Sequence, residues 1–331
     1  MHIAGFIICC IAIFAAGRKL SLYGDMIASI TGLGRAWIGL ILMATITSLP
    51  EMMVGISSSA IVQSADLAVG DVMGSCAFNL GLLALLDAFV PKHRPLFGVA
   101  SQTHTVAAAM GIMLMALAGL ALLLPRDIVL IGGIGLTSVA FIFIYFFSVW
   151  VLYRFDTHHK RAEAEMPPAA VQPLSLKQVI LRFSLFAIVI IAAALLLPYF
   201  TDHIATAAGL NKTFAGTLLL AISTSLPEIA VSFAAIRLGS IDLAVGNLLG
   251  SNLFNIFVLA IDDIFYTKGN LLKDASDLNL VSCLATIVMA AIAIIGLNYR
   301  LQAKRYWLAW DALLIFGIYV LNILLLYYLT S

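Results

Sequence analysis

Runs of about twenty consecutive apolar residues recur from one end of the chain to the other. Each is long enough to cross the roughly 30 Å hydrocarbon core of a bilayer. Within hydrocarbon every backbone N–H and C=O must be satisfied inside the structure, which leaves helices or a closed barrel. A barrel would alternate apolar and polar residues over segments of about ten. These runs are apolar throughout, so the fold class is an all-α, polytopic membrane protein. Composition agrees: 63% of the 331 residues are hydrophobic and only 11% are charged, against about 25% charged in an ordinary soluble domain. A soluble enzyme and a disordered chain are thereby excluded, and a net charge of +1 gives no reason to expect nucleic-acid binding. Cys9, Cys10, Cys76 and Cys283 lie in apolar runs without the spacing of a disulfide framework or a zinc site.

Read between their breakers, the apolar runs give ten spans, near 2–17, 36–62, 66–90, 97–124, 127–153, 177–200, 212–237, 241–264, 277–298 and 306–329. The first lacks the basic leading region of a signal peptide, because Arg18 and Lys19 follow it, and reads as a retained helix. Most of the 18 Lys and Arg residues fall in connections on one side, among them Arg35, Lys92, Arg94, Arg154, Lys177 and Arg305; Arg126, Lys212, Lys268 and Lys273 fall on the other. This bias puts the first side in the cytoplasm and both termini outside. The hydrophilic stretch 154–176, with Pro167, Pro168 and Pro173, is the one real linker and divides the chain into five-span halves, 1–153 and 177–331. A linker this short, without a transit-type leader, points to a prokaryotic cell membrane.

The two halves contain the same passage. Thr47-Ser48-Leu49-Pro50-Glu51 returns as Thr224-Ser225-Leu226-Pro227-Glu228, and Asp66-Leu67-Ala68-Val69-Gly70 as Asp242-Leu243-Ala244-Val245-Gly246. Gly74-Ser75-Cys76-Ala77-Phe78-Asn79 returns as Gly250-Ser251-Asn252-Leu253-Phe254-Asn255. The offset is 177 at the first block and 176 at the last. The repeats therefore cover about 39–80 and 216–256. Five spans separate equivalent positions, so the second copy enters the membrane from the opposite side. An inverted repeat with helices interrupted at equivalent places is the pattern of a secondary transporter, with the substrate site where the copies meet.

Each copy carries a reason for its helix to break. Pro50 cannot donate to the carbonyl of Ile46, nor Pro227 to that of Ser223. Freed carbonyls in hydrocarbon need a partner, and a cation is one. Ala44, Thr47 and Glu51 share a helical face, as do Ala221, Thr224 and Glu228; Ser75 and Asn79 form a stripe in the neighbouring helix, repeated by Ser251 and Asn255. Almost every convergent donor is oxygen, which suits a hard cation such as calcium or sodium. Glu51 and Glu228 sit about midway along their spans, where a lone charge costs at least ~2.5 kcal/mol. One divalent ion cancels the charge of the pair, and once it leaves, protons compete for the carboxylates.

These motifs resemble the α-repeats of the sodium/calcium exchanger branch of the calcium/cation antiporter superfamily. The resemblance implies exchange of calcium for sodium by alternating access, at adjacent cation positions in the membrane midplane. It implies that Glu51 and Glu228 are the principal calcium ligands, helped by Thr47 and Thr224. Ser75, Asn79, Ser251 and Asn255 would line sodium positions, with carbonyls of Ala44 and Ala221. Calcium, sodium and the bilayer are the implied partners; no cofactor, enzymatic activity or protein partner is implied. Eukaryotic relatives often carry a calcium-sensing domain in the central loop, for which 154–176 is too short.

Three positions depart from the family pattern. Ile46 and Ser223 stand where Gly usually precedes the motif, Asn255 where many members have Asp, and Asp71 where Asn is common, as at Asn247. Asp71, Ser75 and Asn79 share one stripe, so Asp71 offers a carboxylate to the pathway a turn or two nearer the surface. The loss of a third central carboxylate at Asn255 also makes a proton- or potassium-coupled exchanger the runner-up. A passive channel and an intramembrane hydrolase are remote, the latter because neither HExxH nor GxSxG occurs. Asp66 and Asp242 read as helix caps, and Asp262, Asp263, Asp274 and Asp277 as a solvated external cluster. Asp87 is expected to meet water or Lys92, and His104 to be a packed helix contact.

Asn255→Asp restores the missing carboxylate and is expected to change sodium coupling or proton sensitivity of calcium flux in proteoliposomes. Unchanged sodium dependence would remove this position from the coupling ligands.

Overall fold

The structure is a computed structural model that describes residues 2–124, 135–163, 174–207 and 222–330. Among the described residues no β-strand forms. The main helices are α1 (His2–Thr31), the interrupted α2 (Arg35–Val62), α3 (Ala65–Leu86), α4 (Thr103–Leu123) and α5 (Leu136–Glu163). They continue with α6 (Leu176–Ala207), α7 (Leu226–Arg237), α8 (Ile241–Phe265), α9 (Asn279–Tyr299) and α10 (Trp310–Thr330). Nine described helices are long and apolar enough to cross a membrane. The expected span 212–237 begins outside the described residues; its described part is 222–237, which includes α7.

Two boundaries differ from expectation. The first helix does not end at residue 17: its 30 residues run on through Arg18 and Lys19. Nothing between 18 and 31 breaks a helix, and the stop comes at Gly32, whose φ of +73° needs a residue without Cβ. At 1.5 Å per residue α1 is about 45 Å long, more than a bilayer core requires. Likewise α5 continues past residue 153 to Glu163, so the expected linker starts as helix.

Contacts group the chain into two compact units, and each draws on both sequence halves: Met1–Pro50 with Tyr153–Leu248, and Glu51–Leu152 with Leu249–Ser331. In the first, α1 lies along α6 and α7 over a core of Cys9, Ile13, Ala193, Ala194, Leu197 and Ala230. Small residues set the spacing. A Cβ on Gly17 would lie 3.2 Å from that of Ala230, and the Ser21 hydroxyl reaches both Gly17 O and Val231 O at 2.9 Å. The α2–α8 crossing is tighter. A Cβ on Gly39 would stand 2.6 Å from Leu243 O, and one on Gly246 2.7 Å from Ala36 O. Backbone therefore meets backbone here, the close approach that small residues permit between membrane helices. At the edge of this unit Asp25 pairs with Arg35 at 2.5 Å and accepts from Ser240 Oγ at 2.6 Å, while Asp156 accepts from Gly34 N at 2.9 Å.

In the second unit α9 packs on α3, α4 and α10. Two buried aspartates tie its loops down. Asp87 accepts from Leu96 N at 2.9 Å and Ala309 N at 2.8 Å and pairs with the buried Lys304 at 3.2 Å. Asp263 accepts from Ser138 Oγ at 2.6 Å, Leu271 N at 3.0 Å and Gly135 N at 3.1 Å. The two aspartates are 176 apart, equivalent positions of the repeat doing the same work. Asp87 thus meets Lys304 and two backbone amides where Lys92 or water was expected. Asp262 and Asp263 are buried where a solvated cluster was expected, because α8 runs to Phe265 and keeps both inside its last turns. Asp66 is not the cap of α3: the Ser64 side chain accepts from Leu67 N, and Asp66 instead accepts from Ser276 N at 2.5 Å.

Gly246→Ala must push the α2 backbone away and is expected to lower stability by about 1–3 kcal/mol. Gly70→Ala, the equivalent change in the first copy, would meet only Asn279 Oδ1 at 3.5 Å and should leave the melting temperature in detergent nearly unchanged. Equal shifts in both variants would contradict the close crossing.

Candidate functional site

Both copies of the duplicated pentapeptide interrupt their helix at the same residue. Ser48 has φ −92° and ψ 5°, and Ser225 has φ −86° and ψ 4°. Helix resumes at Leu49 and at Leu226, so Pro50 and Pro227 fall in a first turn, where a missing N–H costs nothing. Glu51 and Glu228 stand in those same first turns, where the helix N-terminus favours negative charge. Both glutamates are 1% exposed. In α2 the break is flanked by two π-helical stretches, Ile38–Met43 and Ser58–Val62, a distortion that collects at functional positions.

In the first unit, Ser48 Oγ donates to Glu228 Oε1 at 3.0 Å, joining the break of one copy to the carboxylate of the other. Thr47 Oγ1 lies 3.2 Å from Asn247 Oδ1 and 3.3 Å from Ala44 O, so its single proton is shared between two acceptors. Asn247 Nδ2 in turn donates to Ser232 Oγ at 3.0 Å. The Ala44 carbonyl also accepts from Ser48 N at 3.0 Å, so in this conformation both its lone pairs face protein donors. Thr224 is fully buried in the same unit. Ala221 lies outside the described residues.

In the second unit, Glu51 shares the interior with Ser75, Asn79, Ser251 and Asn255, all buried. Asn79 Nδ2 donates to Asn252 Oδ1 at 3.0 Å, and Asn252 Nδ2 donates to Cys76 O at 3.1 Å. Cys76 and Asn252 are equivalent positions of the repeat, and equivalent positions touch only where the two copies meet about their common axis. Ser75 Oγ, Asn79 Oδ1 and Asn255 Oδ1 are buried acceptors with no hydrogen-bond partner among the described residues. Leaving such an oxygen unsatisfied costs about 1–3 kcal/mol, and a hard cation is the partner that three such oxygens suit. Asp71, on the same stripe, is partly buried, with Oδ2 likewise lacking a partner.

The sequence reading passed over Ser48, Asn247 and Asn252 as contributors. Ser48 carried a usable signal, being identical in both copies and one turn before the glutamate. Asn247 and Asn252 carried a weaker one, because their counterparts Asp71 and Cys76 differ in kind and only the fold shows what each bonds to.

Buried carboxylates, hydroxyls and amide oxygens on broken and neighbouring helices define a multi-pass membrane protein that handles cations. The sequence profile of the family described as sodium/calcium exchanger protein matches residues 1–154 and 178–328, and the chain belongs to that family. Its general activity is therefore cation antiport. Inner membrane protein YrbG of Escherichia coli is 30% identical over 231 residues, 67% of this chain and 66% of that protein. Sodium/calcium exchanger MaX1 of Methanosarcina acetivorans is 32% identical over 154 residues, 44% of this chain and 41% of that protein. In fold, the chain superposes on the sodium-calcium exchanger NCX_Mj with a TM-score of 0.75 over 98% of its length and 97% of that chain, at 20% identity. That likeness establishes the all-α architecture with two inverted repeats.

Ser48→Ala removes a hydrogen bond to a buried carboxylate, worth about 1.5 kcal/mol. It is expected to weaken apparent calcium affinity in a flux assay roughly tenfold, with Ser48→Thr retaining most of it. Full affinity in the alanine variant would dismiss this contact.

Proposed function

We propose that the protein exchanges calcium for sodium across a prokaryotic cell membrane by alternating access. Calcium is held by Glu51 and Glu228 with help from Thr47 and Thr224; sodium uses Ser75, Asn79, Ser251 and Asn255, with carbonyls of Ala44 and Ala221. The observation that carries this reading is the burial of one glutamate in each copy of an inverted repeat, at the same helix break, among oxygen donors. A lone carboxylate at such depth is costly, and a transported divalent ion is the partner that two of them require. Sodium, with one charge and a preference for neutral oxygen, suits the hydroxyl and amide positions. The names of MaX1, a sodium/calcium exchanger, and of the family point the same way.

A second reading has its own support. Asn79 and Asn255 are both neutral, so the central ligands carry two carboxylates and no third. With less negative charge to balance, coupling to protons or potassium becomes chemically reasonable.

Calcium flux into proteoliposomes under imposed sodium, potassium or pH gradients separates these readings. A sodium gradient is expected to drive uptake, and calcium movement indifferent to sodium would overturn the first reading. Glu51→Gln and Glu228→Gln should each abolish calcium exchange while the protein stays folded, as judged by size-exclusion chromatography. Exchange retained in either variant would take that glutamate out of the central role.

A further inference from the structure

Asp262 does none of the work of its neighbour. Asp263 saturates three donors, whereas Asp262 is 0% exposed and neither of its carboxylate oxygens has a hydrogen-bond partner among the described residues. Its carboxylate lies over the bare backbone of Gly55: a Cβ there would fall 2.4 Å from Oδ2 and 2.6 Å from Oδ1. Gly55 is one turn beyond Glu51, and Ser59 follows after another turn on that face. Ser59 is fully buried, and its hydroxyl oxygen also lacks a partner. The contacts of Asn252 with Asn79 and Cys76 O tie α3 to α8, which puts Asp71 at the same end of this helix pair as Asp262, and Asp71 Oδ2 is a further buried oxygen without a donor among the described residues.

The inverted repeat supplies an independent comparison. By its offset Asp71 corresponds to Asn247, Gly55 to Ser232 and Asp262 to Leu86. In the second copy the first two of these positions are a neutral, bonded pair, Asn247 Nδ2 donating to Ser232 Oγ at 3.0 Å. At the counterpart positions Asp71 stands for the amide, Gly55 for the hydroxyl, and Asp262 of the second copy for the leucine of the first. A packing role does not explain the exchange, because two like charges without donors destabilise a buried site.

We propose that Asp71 and Asp262 form a second binding station for a divalent cation, displaced along α3 and α8 from the central ligands. It lies toward the face where Gln63 accepts from Thr267 N at 3.2 Å and Lys268 Nζ donates to Gln63 O at 3.0 Å. Asp262 is seven residues beyond Asn255 on α8, and Asp71 eight before Asn79 on α3, a displacement of roughly 10 Å. The donors are all oxygen and carry two negative charges, the requirement of a hard divalent ion. Two carboxylates hold such an ion less firmly than a full cage, which suits a station that must release its ion inward or outward. Taking calcium as that ion rests on the reading of the central glutamates as its transport ligands.

The test is equilibrium dialysis of radioactive calcium against the purified full chain in sodium-free detergent solution. E51Q/E228Q is expected to keep one weaker calcium site, and D71N/D262N to lose that site. A variant with all four changes should bind none. The station is overturned if E51Q/E228Q binds no calcium, or if adding D71N/D262N leaves its residual binding intact. If E51Q/E228Q binds as much calcium as the unmodified chain, the central-glutamate reading fails; the station is then still judged by whether D71N/D262N removes one ion. Melting in calcium-free buffer separates binding from structure: D71N/D262N should melt no lower than the unmodified chain, whereas a structural pair would give a lower temperature. Gly55→Ala, which keeps both acids and displaces the Asp262 carboxylate, should weaken the residual site several-fold; unchanged binding there would also count against the station.

Discussion

A carboxylate taken into hydrocarbon must be compensated locally, and this requirement organises the chain more than any other. The protein answers it in three ways. Asp87 and Asp263 are compensated by backbone amides, with Lys304 added in the first case, and these acids fasten loops to helix ends. Glu228 is met by the hydroxyl of Ser48. Among the described residues Asp262 receives no donor, and Asp71 keeps one oxygen without one. A carboxylate saturated by the protein has little left to offer a cation, so of these acids Asp87 and Asp263 hold the fold, and the less saturated ones are those available to the proposed ion sites.

The helix breaks serve the same requirement from the backbone side. A continuous helix satisfies its own carbonyls and presents no N-terminus in the membrane interior. Interrupting it at Ser48 and at Ser225 creates a helix start at depth, and in each case the residue placed in that first turn is a glutamate. Proline contributes by position: in a first turn its missing N–H is harmless, while its ring prevents the preceding turn from closing as regular helix. The π-helical stretches on either side of the break in α2 show the distortion spreading into neighbouring turns.

Much of this was legible in the sequence, for identifiable reasons. Membrane helices follow from apolar run length alone, and the inverted architecture followed from two near-identical passages at a nearly constant offset. What failed were readings of polar residues near helix ends. Arg18 and Lys19 looked like a loop, but the helix runs through them and through Gly24 and stops only at Gly32, where the backbone turns to positive φ. Asp87, Asp262 and Asp263 looked solvated because sequence shows no loop folding back over a helix end. The amides of Leu96, Ala309 and Leu271 that cover two of them are nine, 222 and eight residues away along the chain. At the candidate site the duplicated residues were legible because identity in both copies marked them. Asn247 and Asn252 were not, since each differs from its counterpart and its bonding depends on side chains packed from another helix.

That last difference separates what the repeat needs from what this chain has added. Positions identical in both copies, such as Ser48 and Ser225 or Glu51 and Glu228, serve what both halves must do, which is to break a helix and place a carboxylate at the break. Positions that differ serve one side alone. Asn247 closes a neutral chain from Thr47 to Ser232, whereas its counterpart Asp71 is a carboxylate with one oxygen lacking a partner among the described residues. In an antiporter that opens alternately to two faces the ion gradients set the direction of net transport, while such inequalities let the two pathways differ in how they admit an ion. Asp71 of the first copy and Asp262 of the second are where this chain departs in charge from the symmetry of its own repeat, and where its two faces should differ in how they receive a cation.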